Sequence, residues 1–300
     1  MKYFLLFLSV MAFFVACNRA PQGDLHDGNS TTAASVNQLT SEDQLAWRSK
    51  VPSIMERLTQ KRDSGLTSIR KASDQRTADS LLSAFRSTYS HAISVVSDSL
   101  YAVDPFQIWL QSTLGAADSL APLLNPYGCS LLLSEGIPSL ELNSGFLLAQ
   151  CGERLSPGMQ KFLSIREREE HQGFSDDAAL LISWNALSDR IAEWEAFLSQ
   201  THGLSVLPEA RGWYELYLRV YLTGLDNARV FNPDNDSLAT EVHASYQRYV
   251  SQYSDTKSGR IVAGYLNVLE RHSWKNSKEA EAYLTRSGIT TTLAMQAPLR

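Results

Sequence analysis

The most regular hydrophobic pattern lies in the C-terminal third of the chain, where apolar residues recur at intervals of three and four. This spacing places apolar side chains on one face of a helix, because an α-helix turns once in about 3.6 residues. The pattern predicts four amphipathic helices. Their apolar positions are Leu187, Ile191, Trp194 and Leu198; Ala210, Trp213, Tyr214, Tyr217 and Tyr221; Leu238, Val242, Tyr246, Tyr249 and Val250; and Ile261, Val262, Tyr265, Leu266 and Leu269.

Similar spacing predicts helices in the N-terminal half. Thr40 is a candidate N-cap for a helix that runs to about Gln60 and bends at Pro52. Residues 77–97 carry apolar side chains at helical spacing. Asp104-Pro105 places proline at the first position of another helix, where its missing N–H costs nothing.

A different pattern occupies residues 128–143, where two short apolar runs flank a turn that contains Glu135 and Gly136. This pattern predicts a β-hairpin. Pro138 predicts that its strand lies at an edge, because proline cannot donate to a strand ladder. Together the patterns predict a mainly α fold: a helical bundle or solenoid-like helix pairs with one short β-hairpin near residues 129–142.

The C-terminal helices also repeat at an interval of 52 residues. This interval places the apolar positions of the first two helices on those of the next two. Self-similarity at a fixed period is typical of stacked helical pairs. The matched pairs are Trp194 with Tyr246, Phe197 with Tyr249, Leu198 with Val250, Ala210 with Val262, Trp213 with Tyr265 and Tyr217 with Leu269.

Residues 185–272 therefore resemble a tetratricopeptide-type array of helix-turn-helix units. The chain departs from that family in its period, because the family's unit has about 34 residues. The extra length falls in the loop over residues 224–237, and the family's small-residue positions are not clearly met. The resemblance implies a protein- or peptide-binding scaffold. A non-repeating helical bundle is the alternative.

The N-terminus carries a motif of its own. Lys2 precedes an almost unbroken apolar run from Tyr3 to Val15, which is shorter than the roughly 20 residues that a membrane-spanning helix needs. The run ends in Phe14-Val15-Ala16-Cys17, which resembles the bacterial lipobox, although that family usually has leucine where Phe14 stands. The resemblance implies cleavage before Cys17 and a diacylglycerol on its thiol. An ordinary signal peptide with an incidental cysteine, or an uncleaved anchor, is the alternative.

The lipobox resemblance implies a place in the cell envelope, with the membrane as a partner through the lipid on Cys17. Asn18 stands where an aspartate favours inner-membrane retention in some lipoproteins, so we expect the outer membrane. Residues 18–39 are polar without apolar periodicity, which predicts a flexible tether. We then expect a helical region with the hairpin over residues 40–183 and a tetratricopeptide-like region over residues 184–300.

Composition narrows the class of protein. Hydrophobic residues make up 44% of the 300-residue chain, with 6 Trp, 12 Tyr and 11 Phe, which is typical of a globular protein and not of a disordered one. The formal net charge is −5, and no basic stripe is visible. Nucleic-acid binding depends on lysine and arginine that neutralise phosphates. We therefore expect no nucleic-acid partner.

Two cysteines remain once Cys17 is assigned to the lipid, namely Cys129 and Cys151. An exported protein can form disulfides, and two cysteines allow a single pairing. We predict a Cys129–Cys151 disulfide that joins the hairpin to the helix after it. Two buried free thiols are the alternative. The sequence has no CxxC motif that would indicate a redox-active pair.

Two groups of carboxylates are candidates for chemistry. Asp176 and Asp177 follow Ser175, a pattern typical of a capped helix start, where carboxylates interact favourably with the helix dipole. Acid/base catalysis is the alternative for this pair. Glu135 and Glu141 flank the second predicted strand, and a glycan hydrolase needs two carboxylates at a set separation. A solvated hairpin accounts for both glutamates, so we assign no catalytic residue.

The loop over residues 224–237 lies between two aromatic-rich predicted helices, and long loops in compact domains are often functional. Asp226, Asn227 and Arg229 offer polar contacts, and Phe231 offers an apolar one. We predict these four as candidate binding residues. In the alternative, Phe231 is a buried anchor and Asp226 pairs with Arg229.

The same loop contains Asn232, Asp234 and Asp236, whose alternation is similar to that of a calcium-binding loop. An EF-hand loop that starts at Asn232 needs glycine and glutamate where the chain has Ser237 and His243. A turn rich in Asn, Asp and Pro explains the composition. The histidines show no metal-ligand spacing, and phosphate-binding and GxSxG motifs are absent from the sequence. We therefore expect no metal and no cofactor.

These patterns favour a membrane-anchored envelope lipoprotein that is a non-enzymatic protein- or peptide-binding scaffold. The alternative is an envelope enzyme or ligand-binding protein that acts on cell-wall or glycan material. The alternative predicts a deep cleft in which carboxylates converge near residues 127–145 or 175–180. The scaffold predicts a concave helical surface.

Overall fold

The structure of the protein, a computed structural model, describes residues 50–101, 116–134 and 137–289. No helix within these ranges is long and apolar enough to span a lipid bilayer. Several sequence predictions fall outside them. These are the signal peptide and lipid on Cys17, the tether over residues 18–39, the N-cap at Thr40, the helix start at Asp104-Pro105, and Glu135.

The described residues are mainly helical, with two small antiparallel sheets, which confirms the predicted fold class. Residues 50–58 are helical and end in a 3-10 turn, Glu56–Leu58. The α-helices are α1 Thr59–Arg70, α2 Gln75–Tyr101, α3 Ala116–Leu124, α4 Ser144–Cys151, α5 Pro157–His171, α6 Trp184–Gln200, α7 Leu207–Thr223, α8 Thr240–Tyr253, α9 Lys257–Arg271 and α10 Lys278–Arg286. The strands are β1 Cys129–Ser134, β2 Ile137–Leu142, β3 Ser175–Asp176 and β4 Ala179–Leu180.

Five of the helices that hydrophobic spacing predicts are present among the residues that the structure describes. α2 extends the helix predicted over residues 77–97, and α6 to α9 are the four predicted C-terminal helices. Side-chain caps fix several helix starts, because an N-cap oxygen accepts from a backbone N–H that has no partner within the helix. Ser183 accepts from Ala186 at the start of α6, and Thr256 accepts from Gly259 at the start of α9. α10 was not predicted, because its nine residues are too few for a long apolar stripe.

The predicted β-hairpin is also present. β1 and β2 pair in antiparallel register, with Ser130 opposite Glu141 and Leu131 opposite Leu140. Because side chains alternate across a strand, Leu140 lies on the buried face and Ser130 and Glu141 lie on the outer face. The Leu140 N–H donates to Ser97 Oγ of α2 at 3.2 Å, which fixes the buried face of the hairpin against α2.

The predicted Cys129–Cys151 disulfide is not formed in the structure, where both cysteines are buried free thiols. The Cys129 thiol lies 3.7 Å from the Tyr127 carbonyl, and the Cys151 thiol donates to the Leu147 carbonyl at 3.1 Å. Each thiol therefore lies against a backbone carbonyl near it in the sequence and not against the other thiol. Burial raises the pKa of Cys129 to about 12 and that of Cys151 to about 11, which keeps both protonated.

One hydrophobic cluster runs from Val51 to Ile289, so it includes core residues from both sides of the predicted boundary at residue 183. α6 packs on α7, α8 packs on α9, and α8 also packs on α6. Five of the six pairs of positions that match at the 52-residue interval are buried in both helix pairs, while the tetratricopeptide resemblance itself stays a prediction. The buried matches are Trp194, Phe197, Ala210, Trp213 and Tyr217 with Tyr246, Tyr249, Val262, Tyr265 and Leu269.

Candidate functional site

A cleft of about 650 Å³ lies between the β1–β2 hairpin and helices α5 and α7. The segment that carries β3 and β4 forms a further wall. We call this cavity the hairpin cleft. Its lining residues are Ser130, Leu131, Leu132, Glu141, Leu142, Asn143, Arg166, Glu169, Glu170, His171, Gly173, Phe174, Ser175, Asp176, Leu181, Arg190, Trp213, Leu216 and Tyr217.

A buried arginine lies at the floor of the hairpin cleft. Arg166 of α5 donates to Glu169 three residues on, with Nη1 and Oε2 3.1 Å apart. The guanidinium carbon lies 4.1 Å from the ring centre of Trp213 in α7, which is a cation–π contact. These two contacts hold the Arg166 guanidinium in place before any ligand is present.

Glu169 is the buried carboxylate of the floor. Trp194 Nε1 of α6 donates to Glu169 Oε1 at 2.8 Å. Burial raises the pKa of Glu169 above its ordinary value, and the positive charges of Arg166 and Arg190 oppose that shift. Contacts through Glu169 and its arginine therefore join α5 to both α6 and α7.

Further charged groups link the floor of the hairpin cleft to helices α4 and α2. Glu170 accepts hydrogen bonds from the Ser144 N–H and hydroxyl at 2.8 and 2.7 Å, which ties α5 to the start of α4. Glu209 of α7 accepts two hydrogen bonds from Arg86 of α2 at 3.0 and 3.1 Å. Arg166 Nε lies 4.0 Å from Glu209, so all these groups form one network.

The rim of the hairpin cleft combines a fixed cation with exposed apolar groups. Arg190 of α6 donates to the Gln172 carbonyl, and its guanidinium lies 5.7 Å from the ring centre of Tyr217. Leu132 is 38% exposed and Leu181 is 58% exposed. Exposed apolar side chains beside a cavity are typical of a ligand- or protein-binding surface.

The charges of the lining determine what chemistry the cleft can support. Four carboxylates and two arginines line it, so its formal charge is −2 with histidine neutral. Glu169 and Glu170 already accept hydrogen bonds from Trp194 and Ser144, which leaves them poorly placed to exchange a proton with a substrate. The Trp213 indole N–H is buried and has no hydrogen-bond partner among the described residues. The arrangement suits a ligand with positive charge, apolar side chains and a hydrogen-bond acceptor.

Asp176 and Asp177 lie in a second hairpin and not at a helix start, so the prediction of a helix capped by Ser175 is wrong. β3 pairs with β4, and the two residues between them, Asp177 and Ala178, have φ of +44° and +53°. Two positive φ values in succession are typical of a type I′ turn. The following helix, α6, has Ser183 as its N-cap.

The predicted binding residues of the loop over residues 224–237 lie outside the lining of the hairpin cleft. Asp226 and Arg229 are exposed, and Arg229 Nε donates to the backbone carbonyl of Asp226 at 3.1 Å. Phe231 is half-buried and packs against the core. Their direct role in ligand binding stays a prediction.

Asn227 connects this loop to the turn between β3 and β4. Its N–H donates to the Ala178 carbonyl at 2.9 Å, and its Nδ2 donates to the Asp177 carbonyl at 2.6 Å. Asn227 and Arg229 also line a separate cavity of about 450 Å³ beside Trp184. The loop therefore supports a wall of the hairpin cleft from outside.

The Asn- and Asp-rich part of the loop forms a turn. Asn232 Oδ1 accepts from the Asp234 N–H at 2.9 Å, and the Asn232 N–H donates to the Ser237 carbonyl at 2.8 Å. These hydrogen bonds account for the alternating polar residues as turn chemistry. Across the ranges that the structure describes, no three His, Cys, Asp or Glu residues come together in a way that could hold a metal ion.

Sequence reasoning did not identify Arg166, Glu169 or Trp213 as site residues. The sequence does contain a pattern that indicates a buried charged pair, because Phe162, Arg166 and Glu169 fall at helical spacing on one face of α5. Charged residues that continue an apolar stripe indicate a buried pair. Comparisons with protein-family models, with curated proteins and with solved structures found no match to this chain.

Proposed function

We propose that the protein is a lipid-anchored, non-enzymatic binding protein of the cell envelope, and that the hairpin cleft receives a peptide segment of a partner protein. The observation that carries this proposal is a cleft of about 650 Å³ whose buried floor is held by Arg166 and Glu169. The lipobox-like sequence that ends at Cys17 supports the anchor, and the outer membrane is the expected location.

A peptide suits the hairpin cleft because the floor offers charged and hydrogen-bonding groups and the rim offers apolar side chains. Arg166, stacked on Trp213, needs no rearrangement to meet a ligand, and preorganised groups reduce the entropic cost of binding. Leu132 and Leu181 at the rim offer apolar area that a peptide side chain can cover. A backbone carbonyl of the peptide would supply the acceptor that the Trp213 N–H lacks.

The charge of the cleft lining indicates which side chains the peptide carries. The lining has a formal charge of −2, so a segment with a lysine or arginine between apolar residues is complementary to it. Such complementarity contributes to specificity and to the rate of association.

An envelope enzyme that acts on glycan is supported less well. Carboxylates do converge in the cleft, with Glu141 from one predicted region and Asp176 from the other. A glycoside hydrolase needs one carboxyl group to donate a proton and another to act opposite it. Glu169 and Glu170 instead hold hydrogen bonds that join helices, which favours a structural floor.

The test is peptide binding to the full-length protein in mild detergent, followed by fluorescence polarisation. The probe is a short fluorescein-labelled peptide with one lysine flanked by leucines, and the same peptide with glutamine in place of lysine reports the charge contribution. Leu181→Ser removes an apolar contact at the rim, and Val95→Ser is the matched control because Val95 is 42% exposed but lies on α2 outside the cleft lining.

We expect saturable binding of the lysine peptide, weaker binding of the glutamine peptide, and a loss of about tenfold in affinity for Leu181→Ser with no change for Val95→Ser. Absence of binding, or equal effects of the two serine variants, contradicts the proposal. The anchor is tested separately, because Cys17→Ser should move the protein from the membrane fraction to the soluble fraction.

A further inference from the structure

The two strands of the β1–β2 hairpin differ in how their outer edges are covered. The Leu140 N–H of β2 donates to Ser97 Oγ of α2 at 3.2 Å, so it points away from β1. In an antiparallel pair, two opposite residues direct their backbone N–H and C=O groups either both toward each other or both away. Leu131, which lies opposite Leu140, therefore directs its own N–H and C=O away from β2.

The position of Pro138 agrees with this orientation. Pro138 has no N–H and lies opposite Leu133, two residues beyond Leu131 along β1. A proline fits a strand where its missing N–H would point away from the neighbouring strand. Because the orientation alternates along a strand, the backbone groups of Cys129, Leu131 and Leu133 all point to the outer edge of β1.

The outer edge of β1 is open at Leu131. β1 pairs with no described strand other than β2, and no group among the described residues forms a hydrogen bond with the Leu131 N–H or C=O. α3 contacts β1 without supplying such a bond. Leu131 lines the hairpin cleft together with Leu132, which is 38% exposed. An unpaired strand edge therefore borders the hairpin cleft.

The sequence of β1 lacks the features that usually protect an exposed strand edge. Natural proteins protect such edges with charged side chains, proline, bulges or a covering helix. β1, Cys129–Ser134, contains no charged residue and no proline, and its register with β2 is continuous. β2 contains Pro138 and Glu141, and α2 packs against it. An unprotected edge beside a cleft is suited to the addition of a strand.

We propose that the peptide segment of the partner binds in the hairpin cleft as a third strand, added to the outer edge of β1. This inference rests on the proposed function and names how the same site holds its ligand. Main-chain hydrogen bonds to Leu131 hold the peptide, and its alternate side chains supply specificity. The peptide residue opposite Leu132 lies on the same face as Leu132, where an apolar side chain covers the exposed leucine.

The test compares two N-methylated forms of the lysine–leucine peptide, with the full-length protein in mild detergent and fluorescence polarisation as the measurement. One form carries N-methyl groups on its second and fourth residues, and the other carries them on its third and fifth. In an added strand only alternate N–H groups point toward β1, so one form loses hydrogen bonds and the other keeps them. The single lysine opposes a shift of one residue, because such a shift moves every side chain to the other face.

A pair of variants tests the same contact from the side of the protein. Leu131→Pro removes the N–H that the peptide is expected to bind, and Leu131→Ala is the matched control, because it shortens the same side chain and keeps the N–H. Proline should be tolerated here, since the Leu131 N–H points away from β2. Hydrogen exchange at the Leu131 amide is a second measurement, made on the unaltered protein.

We expect one methylated peptide to lose at least about tenfold in affinity and the other to bind within about twofold of the unmodified peptide. Leu131→Pro should bind the peptide at least about fivefold more weakly than Leu131→Ala. The peptide should slow exchange at the Leu131 amide and leave the Leu140 amide, already bonded to Ser97, unchanged.

Equal affinities of the two methylated peptides, or of the two Leu131 variants, overturn strand addition and leave peptide binding in the hairpin cleft intact. Absence of binding by the unmodified peptide contradicts the proposed function, and strand addition with it.

Discussion

At the scale of single residues, burial and charge pairing have opposite effects on the pKa of Glu169. Arg166 and Trp194 bind its carboxylate, yet burial is the larger influence and raises its pKa. Glu193 of α6 is half-buried. Burial acts on Glu193 too, but hydrogen bonds from Arg168 and Lys161 lower its pKa. Although both glutamates lie beside cations, their effects on protein stability are therefore expected to depend on pH in opposite directions.

Glu169→Gln should raise the free energy of unfolding at neutral pH. A group with a raised folded-state pKa stabilises the fold below its unfolded pKa and loses that contribution as pH rises through the folded pKa, so the ionised form is the costly one. Arg166→Met should cost about 3 kcal/mol, because it leaves the Glu169 carboxylate buried without its cation. Urea unfolding at neutral pH measures both changes.

Glu193→Gln is the control, with an expected loss below about 1 kcal/mol at neutral pH, because Lys161 and Arg168, which pair with Glu193, are exposed and solvent screens such pairs. The lowered pKa of Glu193 gives a contribution that is present above its unfolded pKa and lost as pH falls through the folded pKa. A Glu169→Gln variant as unstable as Arg166→Met would show that pairing outweighs burial at Glu169.

At the scale of elements, the β3–β4 hairpin depends on a residue of another loop. Asp177 and Ala178 have positive φ, which costs a residue with a side chain about 1 kcal/mol or more. Asn227 donates to the carbonyls of both residues. At the base of the hairpin, the Leu181 N–H donates to the Phe174 carbonyl at 2.9 Å. The candidate loop residue Asn227 therefore positions a wall of the hairpin cleft.

Asn227→Ala should speed hydrogen exchange at the Leu181 amide, and Ala178→Gly should slow it. The first change removes one hydrogen bond, worth about 1 kcal/mol, and the second relieves the positive φ at residue 178. Asn235→Ala is the control, because the Asn235 side chain accepts hydrogen bonds from nearby Ser237 in the same loop and does not contact the β3–β4 turn among the described residues. Equal exchange in the Asn227 and Asn235 variants would contradict the positioning role.

The elements differ in how far the sequence predicts them. Helices α2 and α6 to α9 follow from apolar spacing, and the β1–β2 hairpin follows from two short runs around a turn. The β3–β4 turn could not be predicted, because Ala178 stands where a type I′ turn usually has glycine, and Ser175-Asp176-Asp177 resembles a helix cap. The floor of the cleft was missed because Arg166 meets Trp213 only through the packing of α5 on α7.

At the scale of the whole molecule, buried tyrosines connect the C-terminal helices. The Tyr221 ring lies 4.8 Å from that of Tyr246 and 5.8 Å from that of Tyr249, centre to centre. The Tyr246 hydroxyl donates to the Tyr221 carbonyl at 2.6 Å. Burial raises the pKa of eight tyrosines in the part of the chain that the structure describes. These are Tyr89, Tyr127, Tyr214, Tyr217, Tyr221, Tyr246, Tyr249 and Tyr265.

Alkaline titration should therefore ionise most tyrosines only when the protein unfolds. A raised folded-state pKa gives stability that is fully present below the unfolded pKa of about 10 and is lost as pH rises above it. Ultraviolet absorbance of tyrosinate should show a minor gradual phase near pH 10 and a larger phase that coincides with loss of helical circular dichroism. Ionisation of all tyrosines in one phase near pH 10, with helicity retained, would contradict the buried arrangement.

Ligand binding in the hairpin cleft is tested most directly by the indole N–H signal of Trp213 in a proton–nitrogen correlation spectrum, assigned with Trp213→Phe. Trp274 is the internal control, because it stacks on His243 and does not line the cleft. We predict that the lysine–leucine peptide shifts the Trp213 signal saturably and leaves the Trp274 signal in place. A Trp213 signal that does not move while the peptide is bound would show that the peptide binds elsewhere.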